Sequence, residues 1–119
     1  MILGIGNDLI EIERIEKACD KQAFLVRCYT EKEIELCKGK ASMLAGNFAV
    51  KESVAKAFGT GFRGFETTDI EVLRDELGKP YVNLYGGAKK LYDDMAATSI
   101  HVSITNTKDY AAAMAVLER

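Results

Sequence analysis

The stretch from Asn47 to Gly61, NFAVKESVAKAFGTG, restricts the possible folds more than any other part of the chain. Phe48, Val50, Val54, Ala55 and Phe58 recur at helical rather than strand spacing, so this segment must bury one face of a helix. Lys51, Glu52 and Lys56 form a charged edge, and Gly59 and Gly61 end the helix. Glu52 and Lys56 lie one turn apart on one face, where they pair with each other or jointly meet a ligand. A solvated salt bridge on an amphipathic helix accounts for the same pattern, so the helix alone defines no function.

A chain of 119 residues, 48% hydrophobic and 29% charged, has material for a single core, and one domain spanning 1–119 is expected. A formal charge of -2 and a pI near 5.5 argue against a protein that tracks nucleic-acid phosphates, so anion binding has to be local. No apolar run approaches the roughly 20 residues needed to cross a bilayer, and no basic segment followed by a signal-type apolar stretch opens the chain, which predicts a cytoplasmic protein. Cys19, Cys28 and Cys37 stand at even intervals without any C-x-x-C pair. Reduced structural thiols fit that spacing better than a disulfide framework or a zinc site completed by His101.

Along the chain, MILGIGNDLI reads as a strand in which Gly4 and Gly6 remove side chains where another backbone or a ligand comes close. The G-x-G opening lacks the third glycine of a dinucleotide fingerprint, since Leu9 stands in its place. Taken locally, Asp8 fits an ordinary turn or cap. EIERIEKACDKQAF reads as one helix with Ile12, Ile15 and Cys19 on one side and a basic ridge of Arg14, Lys17 and Lys21 on another; the interleaved glutamates also fit plain solubility. Thr30 and Glu33 have capping-box spacing for a short helix that Gly39 stops, and Ser42 is placed as the cap of the long helix. Ile70 and Val72 alternate with Glu71 and Leu73, DELGKP is a turn, and PYVNLYG is the returning strand. GAKKLYDDMAA is a helix, and IHVSIT and YAAAMAVLE form a second hairpin around NTKD. Strands and helices do not alternate regularly, so the fold class is α+β: a mainly antiparallel sheet packed on the long helix.

Four of these segments, GIGNDLIEIERI, FAVKESVAKAFGTG, the GKP turn and HVSITNTKDYAAAMAV, in this order, resemble holo-acyl-carrier-protein synthases, the small stand-alone 4'-phosphopantetheinyl transferases. The resemblance implies transfer of the 4'-phosphopantetheine arm of coenzyme A to a serine of apo acyl carrier protein, with release of adenosine 3',5'-bisphosphate, in support of fatty acid synthesis. It implies magnesium held by Asp8 and Glu52, the acids of the G-x-G-x-D and F-x-x-K-E segments. A hard divalent cation suits a pyrophosphate substrate, because charge develops on the departing phosphate. Glu52 is also the candidate to accept the serine proton, directly or through water.

For coenzyme A the resemblance implies Lys56 and the GKP turn of Gly78, Lys79 and Pro80; Lys51 is expected to assist, and Asn106 is a candidate that can still donate one neutral hydrogen bond to the nucleotide. A common hairpin connection is the bland reading of GKP. Carrier proteins are acidic, and the expected docking surface is Arg14, which matches the family's arginine, extended by Lys17, Lys21 and Arg27. Relatives form trimers with active sites at subunit boundaries, so a homotrimer is implied. Two positions depart from the family pattern: Asn47 stands where many relatives have arginine and Asn106 where many have histidine, and a charge-assisted hydrogen bond is lost at Asn106. These departures are what a non-catalytic coenzyme A or carrier-protein binding module would show, against the intact Asp8, Glu52 and Lys56. His101 is expected to be a buried structural histidine at a strand start.

Overall fold

The computed structural model describes residues 1–119. The chain runs β1 (Ile2–Glu11), α1 (Ile12–Cys19), α2 (Gln22–Cys28), α3 (Glu31–Cys37), α4 (Ala41–Phe58), a single 3-10 turn (Thr67–Asp69), β2 (Ile70–Arg74), β3 (Pro80–Leu84), α5 (Gly86–Asp94), β4 (Ser99–Asn106) and β5 (Tyr110–Glu118). Both expected hairpins form, β2 with β3 and β4 with β5, and β1 adds antiparallel to β5 to give a three-stranded sheet in the order β1-β5-β4. This is the α+β architecture expected, with two antiparallel sheets around α4. No helix is long and apolar enough to cross a membrane.

Helix α4 lies across one face of the three-stranded sheet, and the composition of both partners explains how closely. A Cβ on Gly4 would sit 2.0 Å from the Ala57 carbonyl oxygen, and one on Gly6 would sit 1.9 Å from that of Ser53. The two glycines therefore admit the backbone of a helix, not a ligand. Facing them on β5, Ala111, Ala113, Ala115 and Leu117 are buried. Ser53 Oγ lies 2.7 Å from the Ala49 carbonyl and 3.2 Å from that of Ala113, so its hydroxyl ties the helix to the strand. Val50, Val54, Phe58, Ile70, Val72 and Leu117 build the main core. Ile15, Cys28, Tyr29, Cys37 and Leu44 build a second one under α1–α3, where the buried thiols remain free.

Three local expectations are corrected. The predicted single helix over 11–24 breaks at Asp20 and Lys21, where Lys21 is extended, and α2 then carries Phe24 onto Phe48 with ring centroids 6.2 Å apart. Helix α4 begins at Ala41 with Lys40 as an N-cap that makes no side-chain bond, so Ser42 is inside the helix rather than capping it. His101 is not buried. Its side chain is 61% exposed with Nε2 2.9 Å from Glu118 Oε1, because the β4 register turns Ile100 and Val102 toward the helix and His101 outward. By contrast, the Thr30–Glu33 capping box forms as expected, and Gly59 ends α4 at φ +81°.

Candidate active site

Asp8 and Glu52 come from the two elements that the glycine contact holds together. The strand alternation that sends Ile5 and Leu9 outward turns Asp8 toward α4, and Glu52 lies on the α4 turn that faces it. Both line one cleft of about 540 Å³, whose walls are Phe24, Phe48, Ile15 and Tyr110 and whose rim carries Arg14. Lys56 Nζ donates to the Asn7 carbonyl at 2.9 Å and to Asp8 Oδ1 at 3.2 Å. Asp8 Oδ2 is buried and has no hydrogen-bond partner. Burial and the nearby Asp8 carboxylate push Glu52 above its ordinary value, with Lys56 acting in the opposite direction.

This geometry fits a hard cation. An orphaned carboxylate oxygen beside a second, partly desolvated carboxylate is an electrostatic demand that the chain itself leaves unmet. No group of three or more His, Cys, Asp or Glu side chains gathers anywhere in the chain. Two carboxylates with water and substrate oxygens completing the shell is the habit of magnesium rather than of zinc or calcium.

The nucleotide-binding candidates gather elsewhere. Gly78, Pro80 and Asn106 line a cleft of about 250 Å³ together with Arg74, Ser42 and Gly46, between the first turns of α4, the β2–β3 turn and the end of β4. Gly78 adopts φ +86°, and the exposed Lys79 donates its backbone N–H to Asp75 Oδ1 at 2.9 Å. No residue is shared between the two clefts. Gly46 and Glu52 are separated by about 9 Å along α4 and roughly 120° around it, so within one chain the clefts open on different sides of the helix.

The sequence profile of the 4'-phosphopantetheinyl transferase superfamily matches residues 4–115. This chain belongs to that superfamily. The holo-[acyl-carrier-protein] synthase of Lachnoclostridium phytofermentans is 54% identical over 99% of this chain and 97% of its own length. That of Clostridium botulinum is 51% identical over 99% and 98%. Among solved structures, the holo-[acyl-carrier-protein] synthase of Neisseria meningitidis superposes with a TM-score of 0.91 at 32% identity, each chain covered fully. The Helicobacter pylori synthase, solved in complex with coenzyme A, superposes at 0.86 with 35% identity, covering 96% of this chain and 99% of that one.

In this superfamily member the charged edge of α4 is divided between two fates. Lys51, expected to assist at the coenzyme A phosphates, is fully buried. Its Nζ donates to Glu33 Oε1 at 2.7 Å, to the Thr67 carbonyl at 3.0 Å and to the Ile70 carbonyl. Burial pulls the ammonium below its ordinary value while the Glu33 carboxylate opposes that shift. Lys51 therefore has no donor left for a ligand. Asn47 is buried in the same network, where Nδ2 donates to Glu33 Oε2 and to the Val72 carbonyl, each at 3.0 Å. Lys56 pairs with Asp8 rather than with Glu52, across elements instead of along the helix.

The basic ridge is present but uneven. Arg14 borders the acidic cleft. Lys17, Lys21 and Arg27 line the adjoining concavity beside Phe24. Lys17 is partnered by Glu13 at 3.0 Å, and the Arg27 guanidinium lies 5.7 Å from the Phe24 ring centroid. Sequence reading missed the aromatic wall of Phe24, Phe48 and Tyr110, because helical periodicity marks such residues as core without saying which lie at its open edge. Arg74, which no motif singles out, lines the second cleft with Gly78, Pro80 and Asn106.

Proposed function

We propose that this protein transfers 4'-phosphopantetheine from coenzyme A to the acceptor serine of an apo acyl carrier protein, releasing adenosine 3',5'-bisphosphate. The observation that carries this reading is the pairing of Asp8 and Glu52 in one cleft with an Asp8 oxygen buried and unpartnered. Asp8 and Glu52 would hold Mg2+, which when bound neutralises charge on the pyrophosphate. The serine oxygen forms its bond to the phosphorus that bears the pantetheine arm. The bond from that phosphorus to the adenosine bisphosphate breaks, and the serine proton passes to Glu52. Burial and the neighbouring Asp8 raise Glu52 above its ordinary value, which makes its carboxylate a better base than an ordinary glutamate.

Lys56, more than half exposed, has the freedom to meet a phosphate oxygen. Gly78, Lys79, Pro80 and Asn106 would take the nucleotide end of coenzyme A. Arg14, with Lys17, Lys21 and Arg27, would receive the acidic carrier protein in the cytoplasm, where the carrier of fatty acid synthesis is the natural acceptor. Since the two clefts open on different sides of α4, a complete site needs the nucleotide cleft of a neighbouring chain, which supports a homotrimer with sites at subunit boundaries. The 119 residues act as one domain in this scheme. The binding-module alternative loses one of its two supports, because Asn47 is engaged in the core and not in either cleft.

The test is the intact mass of an apo acyl carrier protein after incubation with the protein, coenzyme A and Mg2+. A phosphopantetheine-sized gain is expected, slowed by about 10²–10⁴-fold in Glu52→Gln if that residue takes the proton. Retained coenzyme A binding with no gain on any carrier protein would overturn the transferase reading in favour of the binding module.

A further inference from the structure

We propose that Lys56 is a tethered stand-in for the metal cation: its ammonium guards Asp8 when no metal is bound and is released to the phosphates when one is. The inference rests on the metal-site reading above and concerns how that site loads. On α4 the simplest partner for Lys56 is Glu52, one turn back on the same face. The side chain instead crosses to β1, where Nζ sits on the Asn7 carbonyl at 2.9 Å and Asp8 Oδ1 at 3.2 Å. Those are two oxygens from consecutive residues, the kind of donor set that a small hard cation takes. The remaining Asp8 oxygen is buried with no partner, so the ammonium satisfies only half of the carboxylate.

The exposures make the arrangement reversible. The Lys56 side chain is 53% exposed and that of Asp8 only 16%, so the carboxylate is fixed while the ammonium can withdraw into solvent. A pair with one partner this exposed is weak and easily displaced. Displacement leaves a positive group on a flexible stem beside the cleft. One side chain then couples two events: occupation of Asp8 by a cation frees Lys56, and engagement of Lys56 by phosphate uncovers Asp8. By linkage each ligand strengthens the other through the same residue.

Titration with Mn2+ alone, followed by the loss of the free-ion electron paramagnetic resonance signal, tests this without any turnover. Lys56→Met is expected to tighten Mn2+ binding by about three- to fivefold, the scale of a competing exposed ion pair. Arg14→Gln removes a positive charge from the rim of the same cleft without touching a known Asp8 contact, and is expected to change Mn2+ binding by less than about twofold. In the native chain, coenzyme A should tighten Mn2+ binding, and Lys56→Met should shrink that enhancement. Equal tightening in both variants would reduce the effect to general electrostatics and overturn the proposal. Unchanged or weaker binding in Lys56→Met would overturn it as well. Mn2+ binding that survives Asp8→Asn undiminished would instead show that the metal-site reading is wrong, and the stand-in with it.

Discussion

Glu33 shows how much one side chain carries here. It closes the α3 capping box by accepting from Thr30 N–H at 3.1 Å, and it also pairs with Lys51 and accepts from Asn47. Removing one partner of such a pair leaves a buried charge uncompensated, so Lys51→Met should cost roughly 3–5 kcal/mol in urea unfolding. Adding Glu33→Leu should recover a large part of that loss; a single substitution costing under about 1 kcal/mol would mean the pair is not buried as described. Beside it, burial alone would raise Glu71, but hydrogen bonds from Thr30 at 2.6 Å, Asn83 at 3.2 Å and Tyr85 at 2.9 Å outweigh it and hold the carboxyl below its ordinary value. A depressed folded pKa contributes stability that is complete above the unfolded value of about 4.3 and is lost as pH falls through the folded value. Unfolding free energy should therefore drop on acidification below about pH 4, and Glu71→Gln should flatten that slope.

Between elements, the contact that decides the site is β1 against α4. Its spacing depends on Gly4 and Gly6, because both clashes a Cβ would create are with backbone oxygens that cannot move aside as a side-chain end would. Gly6→Ala should force the strand from the helix at a cost of roughly 3 kcal/mol. It should also weaken Mn2+ binding, since Asp8 follows two residues later on the same strand. Stability lost with metal affinity intact would show that the strand yields without carrying Asp8 with it.

For the molecule as a whole, the face of the three-stranded sheet away from α4 is uncovered. Ile5, Leu9 and Met114 on it are 64%, 66% and 50% exposed, and the register sets Asn7 opposite Met114 between the two β1 residues. An apolar band of this kind favours association. Light scattering should report three times the chain mass of 13.1 kDa. Met114→Glu should lower the mass to one chain and abolish transfer, while Mn2+ binding at Asp8 and Glu52 persists. A native chain that is monomeric at working concentration and still active would remove the shared-site scheme.

What could be read from the sequence was whatever depends on near neighbours. The period of α4, its stop at Gly59, the Thr30–Glu33 box and both hairpins rest on spacings of a few residues, which backbone geometry makes legible, whereas Asp8 and Glu52 stood out only through the family resemblance of their segments. Gly4 and Gly6 announced a close approach without naming what approached. The tertiary structure decided the rest: that β1 pairs with β5 from the other end of the chain, that Lys51 turns inward to Glu33 while Lys56 reaches Asp8, that His101 faces outward, and that the two clefts open apart. Each depends on burial or on partners distant in sequence. Two lysines five positions apart look alike in sequence, and only the environment that packing creates around each sets one as a core ion pair and the other as a half-exposed partner of Asp8.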